Sequence, residues 1–376
     1  MNDEILYEIA LTQLKGVSLL QAKTLMDHFG SAVALWETPD DELREIGTVG
    51  ETLVDVNLRG EALRRAEEEM KFIDKGNFDV IPFVSPLYPD RLKGCEDAPL
   101  TLFRCGRCPL DQPKMVAMVG TRHATSYGRS MADEIVRSIA EIDQNVVIVS
   151  GLAYGIDIAS HRAALQYGLP TIGVVAHGLD MIYPNMHRAD AAKMANGNGA
   201  VLTEFLSKTQ PIGSNFLQRN RIVAGLCQAV IVVESDYRGG SLSTARLAME
   251  YGRDVFAVPG RLSDRFSTGC NNLIAENRAG LFTTAEDFMR RMNWLPEEPK
   301  KPKQAELNFD DSIELSPEKK RVVELLSEHG EMQINELAAV MDMPFVELVS
   351  IMAEMAFDDI VIQKPGDMYE IKAKIK

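Results

Sequence analysis

The most regular pattern in the chain is an alternation of short, largely apolar runs with longer stretches of helical spacing. The runs do not alternate apolar and polar positions, as expected for strands that are covered on both faces of a sheet. They are 116–119, 146–149, 171–175, 201–203, 229–233 and 255–258. Helical spacing fills the gaps over 126–140, 156–167, 187–195, 219–227 and 241–251. This strand–helix repetition predicts an α/β fold with a doubly wound, mostly parallel sheet.

Two different patterns flank this middle part. The N-terminal stretch has helical spacing over 8–13, 20–28 and 61–75, and apolar–Gly–apolar turns at 14–17 and 46–50 resemble those of a helix-hairpin-helix. The C-terminal stretch predicts three short helices followed by a hairpin, the pattern of a winged helix. These elements are 317–327, 334–341, 344–355, 360–364 and 368–371.

We therefore expect four parts. They are a small helical module of the SAM or helix-hairpin-helix type (1–78), a sheet domain (79–295), a polar, proline-containing linker (296–315) and a winged-helix domain (316–376).

Composition agrees with a multidomain globular protein. The chain has 376 residues, of which 45% are hydrophobic and 25% charged. No apolar run approaches the roughly 18 residues that cross a bilayer, and the acidic start is unlike a secretory signal. We expect a cytoplasmic protein without membrane contact. Cys105 and Cys108 have the CxxC spacing, but no partner pair lies in register, so we predict neither a metal site nor a cofactor.

The distribution of charge decides which parts can meet a polyanion. The net charge is −15, but residues 81–290 hold 21 basic and 20 acidic side chains. A nucleic acid could therefore bind only at a focused site in the middle. Acidic residues crowd 40–45, which favours a structural or docking role for the helical module, although DNA contact stays open. The stretch 344–355 carries Glu347 and Glu354 without Lys or Arg, which favours protein docking over DNA reading.

Ligands of α/β sheets bind beyond the carboxyl ends of strands, and four loops there have unusual sequences. The first is VGTR at 119–122, in which Gly120, Thr121 and Arg122 could hold a phosphate. The second is SGLAYGID at 150–157, where Ser150 and Gly151 precede a helix N-terminus that favours an anion.

The other two loops add an aromatic ring and more phosphate donors. In FLQRNRIVA at 216–224, Phe216 could stack on a base while Arg219, Asn220 and Arg221, at the predicted start of a helix, contact the strand. A core Phe and structural arginines are the competing interpretation. In RGGSLSTA at 238–245, Gly240 and Ser241 open a further helix N-terminus.

Catalytic constellations are missing from the same region. The histidines are scattered, Asp157 stands where a helix-capping residue is expected, and Glu204, Glu234 and Glu250 fall one to a loop or helix. Several anion-holding loops without evident chemistry predict binding and no catalytic residues.

In this order, the motifs resemble those of the bacterial DNA-processing protein A (DprA/Smf) family. The resemblance is strong over about 80–290 and includes further segments of the same region. These are GLDMIYP at 178–184, RNRIVAGL at 219–226, AVPG at 257–260 and GCNNLIAENRA at 269–279.

The resemblance implies an extended Rossmann-like domain that binds single-stranded DNA without catalysis, and a homodimer that loads the RecA recombinase in natural transformation. It implies that Arg122 and Gly151 hold phosphates, that Phe216 stacks on a base, and that the three polar residues of RNR line the groove. Asn272, Leu273 and Ile274 would belong to the dimer or recombinase surface. Many relatives have a lysine about three residues before the Phe, where this chain has Gly213.

Two other classes of protein compete with this interpretation. Rossmann-like nucleotide phosphoribohydrolases also place a Gly-Gly loop before a helix, but here the segment reads GGSLSTARLAME, with Glu250 in place of the PGGxGTxxE pattern. A winged-helix repressor with a sensor domain would prefer duplex DNA.

Overall fold

A computed structural model describes residues 3–76, 78–295, 315–364 and 366–372 of the chain. They divide after Leu295 into two compact units. The predicted linker at 296–315 lies outside the described residues except for Leu315.

The first unit is built on a nine-stranded sheet with the order β1-β2-β6-β5-β4-β3-β7-β8-β9. β2 pairs antiparallel with β1 and β6, and the other pairs are parallel. The strands are β1 (Asp79–Pro82), β2 (Thr101–Gly106), β3 (Met115–Gly120), β4 (Val147–Ser150), β5 (Thr171–Val174), β6 (Ala200–Thr203), β7 (Ala229–Glu234), β8 (Asp254–Ala257) and β9 (Gly280–Leu281).

Fourteen helices of the first unit precede, cover or follow this sheet. They are α1 (Asp3–Gln13), α2 (Leu19–Phe29), α3 (Ala32–Glu37), α4 (Asp40–Arg44), α5 (Thr48–Val54), α6 (Val56–Gly76), α7 (Asp90–Lys93), α8 (Ser126–Ile142), α9 (Ile156–Tyr167), α10 (Arg188–Asn196), α11 (Gly213–Leu226), α12 (Ser241–Glu250), α13 (Thr268–Ala275) and α14 (Ala285–Arg291). Buried side chains of α8, α9 and α14 form the core on one face, and those of α7, α11, α12 and α13 form the core on the other. The doubly wound, mostly parallel sheet is thereby confirmed.

The six predicted strands and their helices are present, with two departures that bear on the site. The sheet also has β1 and β9 at its two edges, where the strands are short and only partly buried. The helix predicted from 219 begins at Gly213 instead. The Pro-Ile-Gly-Ser-Asn stretch at 211–215 is also typical of a loop, but a helix tolerates glycine in its first turn, and the Asn215 side chain donates to the Gln210 carbonyl there.

The N-terminal helices pack onto the sheet edge through buried carboxylates. Glu69 of α6 accepts hydrogen bonds from the Ser207 N–H (3.0 and 2.9 Å) and hydroxyl (2.6 Å). Glu8 of α1 accepts from the Phe83 N–H and from the Thr101 hydroxyl. Each carboxylate satisfies donors of the sheet domain that would otherwise be buried without a partner, so the module is a docked part of the first unit.

The second unit has the three helices and hairpin of a winged helix. Its elements are α15 (Pro317–His329), β10 (Glu331–Gln333), α16 (Ile334–Met341), α17 (Phe345–Phe357), β11 (Val361–Lys364) and β12 (Met368–Ile371). The strand β10, which the sequence did not predict, pairs with β12 to complete a three-stranded antiparallel sheet. α17 leaves Phe345 and Val346 exposed.

None of the described helices is both long enough and apolar enough to cross a membrane.

The Glu8 carboxyl leads to a prediction about pH. Burial raises the pKa of Glu8 from 4.5 to about 7, against the opposing effect of its two donors. The folded chain therefore holds a proton that the unfolded chain releases above pH 4.5. This part of the stability is fully present below pH 4.5 and is lost as the pH rises through 7.

We expect Glu8→Gln to remove this loss. Relative to the wild type, its free energy of unfolding should rise by roughly 1 to 3 kcal/mol as the pH increases across that window. Urea unfolding of both proteins at a series of pH values measures the difference. Parallel stability curves would contradict the assignment.

Candidate nucleic-acid interface

The loops singled out in the sequence meet at one cleft, at the point where the strand order reverses. The chain winds from β3 to β4 and β5 in one direction, and β7 and β8 lie on the other side of β3. The carboxyl ends of β3, β4 and β7 therefore open onto a crevice, the usual ligand position in such sheets. This crevice, which we call the cleft, encloses about 820 Å³. It is lined by Val119–His123, Gly151, Ala153, Asp157, Phe216, Leu217, Arg219, Asn220, Val223, Asp236, Arg238–Ser241, Thr244, Arg265 and Phe266.

The loop after β3 is held in place by Glu234 at the end of β7. The carboxylate of Glu234 accepts from the N–H (2.9 Å) and hydroxyl (2.6 Å) of Thr125, the N-cap of α8. The Glu234 carbonyl accepts from the Thr121 N–H at 2.6 Å. Residues 120–123 are thus fixed at both ends, and Arg122 projects into solvent from a rigid turn.

The loop after β4 is supported from below by Arg219. Its guanidinium is buried and donates through Nη1 to the Val174 carbonyl at 2.7 Å. A Cβ added at Gly151 would lie 1.7 Å from that Nη1 atom, so only glycine lets the loop cross the arginine. The Asp157 carboxylate, also buried, accepts from the N–H groups of Gly151 (3.1 Å) and Ala153 (3.4 Å).

Arg219 and Asp157 are both buried beneath the cleft. Burial lowers the pKa of Arg219 to about 10, opposed by Asp157, so the guanidinium stays charged at neutral pH. Burial likewise raises the pKa of Asp157, while Arg219 and the two loop N–H groups lower it. The positive charge of Arg219 is therefore buried at the floor of the cleft, where the guanidinium is bonded to the Val174 carbonyl.

Arg122, at the rim of the cleft, stacks on an aromatic ring. Its guanidinium carbon lies 4.6 Å from the ring centroid of Phe216, in the first turn of α11. The ring of Tyr183 lies 5.9 Å from that of Phe216 and is 42% exposed. Arg122 and the two rings form one continuous cationic and aromatic surface at the mouth of the cleft.

The opposite wall consists of the Gly-Gly turn and the start of α12. A Cβ at Gly239 would lie 2.2 Å from the Ser235 Oγ atom, whereas one at Gly240 would meet nothing within 4 Å. The Ser241 hydroxyl donates to Ser235 at 2.9 Å, and Asn220 donates to the Ser243 hydroxyl at 3.1 Å. This wall therefore offers an open backbone at Gly240 and hydroxyls that are already hydrogen-bonded.

Four expectations need correction. Arg219 and Arg221 stand in the middle of α11, not at its start. Arg221 lies outside the cleft lining, because it turns toward the helical module and donates to Glu204. Ser150 is also absent from the lining, since its buried hydroxyl donates to the Met118 carbonyl at 2.6 Å. Leu273 is buried in the core, so its side chain is not part of a surface.

The cleft also has residues that the sequence analysis passed over. Arg238 stood within a quoted motif, and its exposed side chain lines the cleft. Arg265 pairs with Asp236 at 2.7 Å. Tyr183, which lies beside Phe216, belongs to the quoted GLDMIYP segment. An aromatic residue between a predicted strand and a predicted helix could have marked it as a candidate for base stacking.

The carboxylates do not form a phosphoribohydrolase arrangement. Glu250 is the last residue of the ten-residue helix α12, about 15 Å along the axis from the Gly-Gly turn. Among the described residues, the carboxylates that line the cleft are Asp157, which is buried beneath a loop, and Asp236, which is paired with Arg265.

The chain is similar to known proteins over most of its sheet domain. Residues 79–293 match the family described as DNA recombination-mediator protein A. The chain is 42% identical over 212 residues to the DNA processing protein DprA of Streptococcus pneumoniae, covering 56% of this chain and 73% of that protein. It is 37% identical over 237 residues to the Smf protein of Escherichia coli, covering 62% of this chain and 63% of that one, slightly less than two thirds of its length.

Two solved structures resemble this one. The X-ray structure of S. pneumoniae DprA superposes with a TM-score of 0.64 at 35% identity, over 76% of this chain and 97% of that one. A structure of DNA processing protein A from Helicobacter pylori, described for its single-stranded DNA binding mode, gives 0.52 at 32% identity, over 57% and 95%.

The packing of Gly151 against Arg219 predicts different costs for two glycine substitutions. Gly151→Ala has to displace a buried, charged side chain and should lower the free energy of unfolding by roughly 1 to 3 kcal/mol. Gly240→Ala, whose methyl group meets nothing, should change it by less than about 0.5 kcal/mol. Urea unfolding measures both. Equal effects of the two substitutions would contradict the proposed role of Gly151.

Proposed function

Because the chain belongs to the DNA recombination-mediator protein A (DprA/Smf) family, we propose that it binds single-stranded DNA in the cleft and delivers it to a recombinase. The observation that carries the proposal is the stack of Arg122 on Phe216 at the mouth of the cleft. A cation beside an aromatic ring pairs the two interactions that hold a single strand, phosphate neutralisation and base stacking.

The same surface explains a preference for unpaired strands. The half-buried Phe216 ring can be reached by a base that has left its stack, but base faces in a duplex are covered by their neighbours. Arg122 and Arg238 supply exposed guanidinium groups on two sides of the cleft, and the open backbone at Gly240 lets a phosphate approach. These contacts do not distinguish one base from another, so the binding has no sequence specificity.

Within this proposal, the predicted site residues have two roles. Gly120, Thr121, Arg122, Gly151, Phe216, Asn220 and Gly240 contact the strand. Arg219, Ser150 and Ser241 position the loops from inside, because the Arg219 Nη1 atom and the two serine hydroxyls donate to protein groups. Arg221 pairs with Glu204 within the sheet domain, on the side that faces the helical module.

We further propose that the protein acts in the cytoplasm as a homodimer that loads the RecA recombinase in natural transformation, without catalysing a reaction. Asn272 and Ile274, which are half-buried on α13, are our candidates for the dimer or recombinase surface. α17 exposes Phe345 and Val346 and carries no basic residue, which supports docking of a protein rather than DNA by the winged helix.

The first test removes the cation at the mouth of the cleft. Arg122→Ala should weaken binding to oligothymidylate by about ten-fold and reduce the slope of log K against log salt by about 0.7, the loss of one single-strand phosphate contact. Fluorescence anisotropy at several salt concentrations measures both quantities.

The matched control is Arg137→Ala, which makes the same change in net charge at an exposed position of α8, where Arg137 pairs with Glu134 and Glu141. We expect its affinity and slope to stay near those of the wild type. If Arg122→Ala binds as tightly as this control, the cleft is not the DNA site.

A second test adds the cation that many relatives have. Gly213 is exposed in the first turn of α11, and a Cβ there would meet nothing within 4 Å. Gly213→Lys should fold normally, bind oligothymidylate several-fold more tightly and steepen the salt slope by about 0.7. Gly213→Gln is the uncharged control. An unchanged slope for the lysine variant would show that the strand does not pass this turn.

A further inference from the structure

A second groove adjoins the cleft on the outer side of Arg122. This side groove, of about 850 Å³, runs between α8 and α9. Its lining includes four polar or charged residues, Arg122, His123, Arg129 and Arg162, and the rings of Tyr154 and Tyr183. Arg122 and His123 line both the cleft and the side groove, so a ligand can pass from one to the other without leaving the surface.

Two tyrosine rings stand on this path. Tyr183 touches Phe216 of the cleft and lines the side groove. Tyr154 is 42% exposed and packs edge-on against His187, with 5.3 Å between ring centroids. His187 is itself buried, and its Nδ1 atom lies 2.9 Å from the Leu152 carbonyl oxygen. The Tyr154 ring is therefore held in one orientation and keeps part of its surface open to solvent.

The charges of the side groove are mostly positive. Arg129 is exposed, and its Nη1 donates to the Ala124 carbonyl, which fixes the guanidinium against the groove. Arg162 is 57% exposed and is held by Asp190 at 2.9 Å. Of the described residues that line the groove, the carboxylate is Asp133, and it accepts a hydrogen bond from Tyr167. Arg122, Arg129 and Arg162 thus give this groove an excess of positive charge, although the chain as a whole has a net charge of −15.

We infer that the side groove is a second subsite for single-stranded nucleic acid. A strand that leaves the cleft past Arg122 stacks a base on Tyr154 and places its phosphates against Arg129 and Arg162. The inference rests on the proposed function and extends it, since the cleft alone would bind a short strand. An open, cationic groove with a fixed aromatic ring suits a polyanion with exposed bases better than a protein partner.

The test separates short from long strands. Oligothymidylates of about 4 and about 12 nucleotides are titrated against the full-length protein by fluorescence anisotropy. A longer strand offers more positions (binding registers) at which the protein can bind. We expect the wild type to bind the longer strand more tightly than this statistical factor alone explains. Tyr154→Ala should weaken the longer strand by roughly ten-fold and leave the shorter strand unchanged. Arg162→Ala should lower the salt slope by about 0.7 for the longer strand only.

Two control variants distinguish stacking from disturbance of the loop. Tyr154→Phe retains the ring and should bind as the wild type does. Tyr127→Ala removes a tyrosine of similar exposure, 41%, that lies outside both grooves and donates to the Pro259 carbonyl. We expect Tyr127→Ala to leave the affinity for both strands unchanged.

The outcomes are distinguishable. Equal losses for both strands in Tyr154→Ala would mean that the ring only supports the cleft, and would overturn the second subsite. Equal affinities of the wild type for the two strands, after correction for binding registers, would overturn it as well. Failure of the wild type to bind either strand would refute the proposed function and this inference together.

Discussion

The cleft depends on the hydrogen bond that the buried Arg219 guanidinium donates to Val174, beneath the loop that follows β4. This guanidinium ties α11 to the end of β5 through the Val174 carbonyl, and it passes under Gly151 at a distance that no other residue allows. The Asp157 carboxyl group holds the same loop by accepting from the N–H groups of Gly151 and Ala153. Without this support, the loops on either side of the strand-order reversal would have no fixed spacing.

Buried and exposed arginines have different roles at this surface. Arg219 and Arg221 are inside the molecule, where a charge has to be paired and cannot also neutralise a ligand. Arg122 and Arg238 are exposed at the cleft, and Arg129 and Arg162 lie along α8 and α9. An acidic chain can bind a polyanion in this arrangement because these four exposed cations line the cleft and the side groove that adjoins it.

The sequence predicted the fold well because its signals were local. Runs such as 229–233 are apolar on consecutive residues, and a helix such as 156–167 has both the spacing and a glycine at its end. The start of α11 was misplaced, because glycine and serine near a proline also describe a loop. β1 and β9 were missed, since a short edge strand that is partly exposed lacks the continuous apolar run of a central one.

The order of the motifs can be read from the chain alone, and it indicated the family and the loops that form the site. The direction of each side chain, in contrast, follows only from the fold. Arg219, Asn220 and Arg221 are consecutive, but a helix turns about 100° per residue, so they face the floor, the cleft and the helical module in turn. Tyr154 and Tyr183 are far apart in the chain and line one groove because of how the strands are ordered.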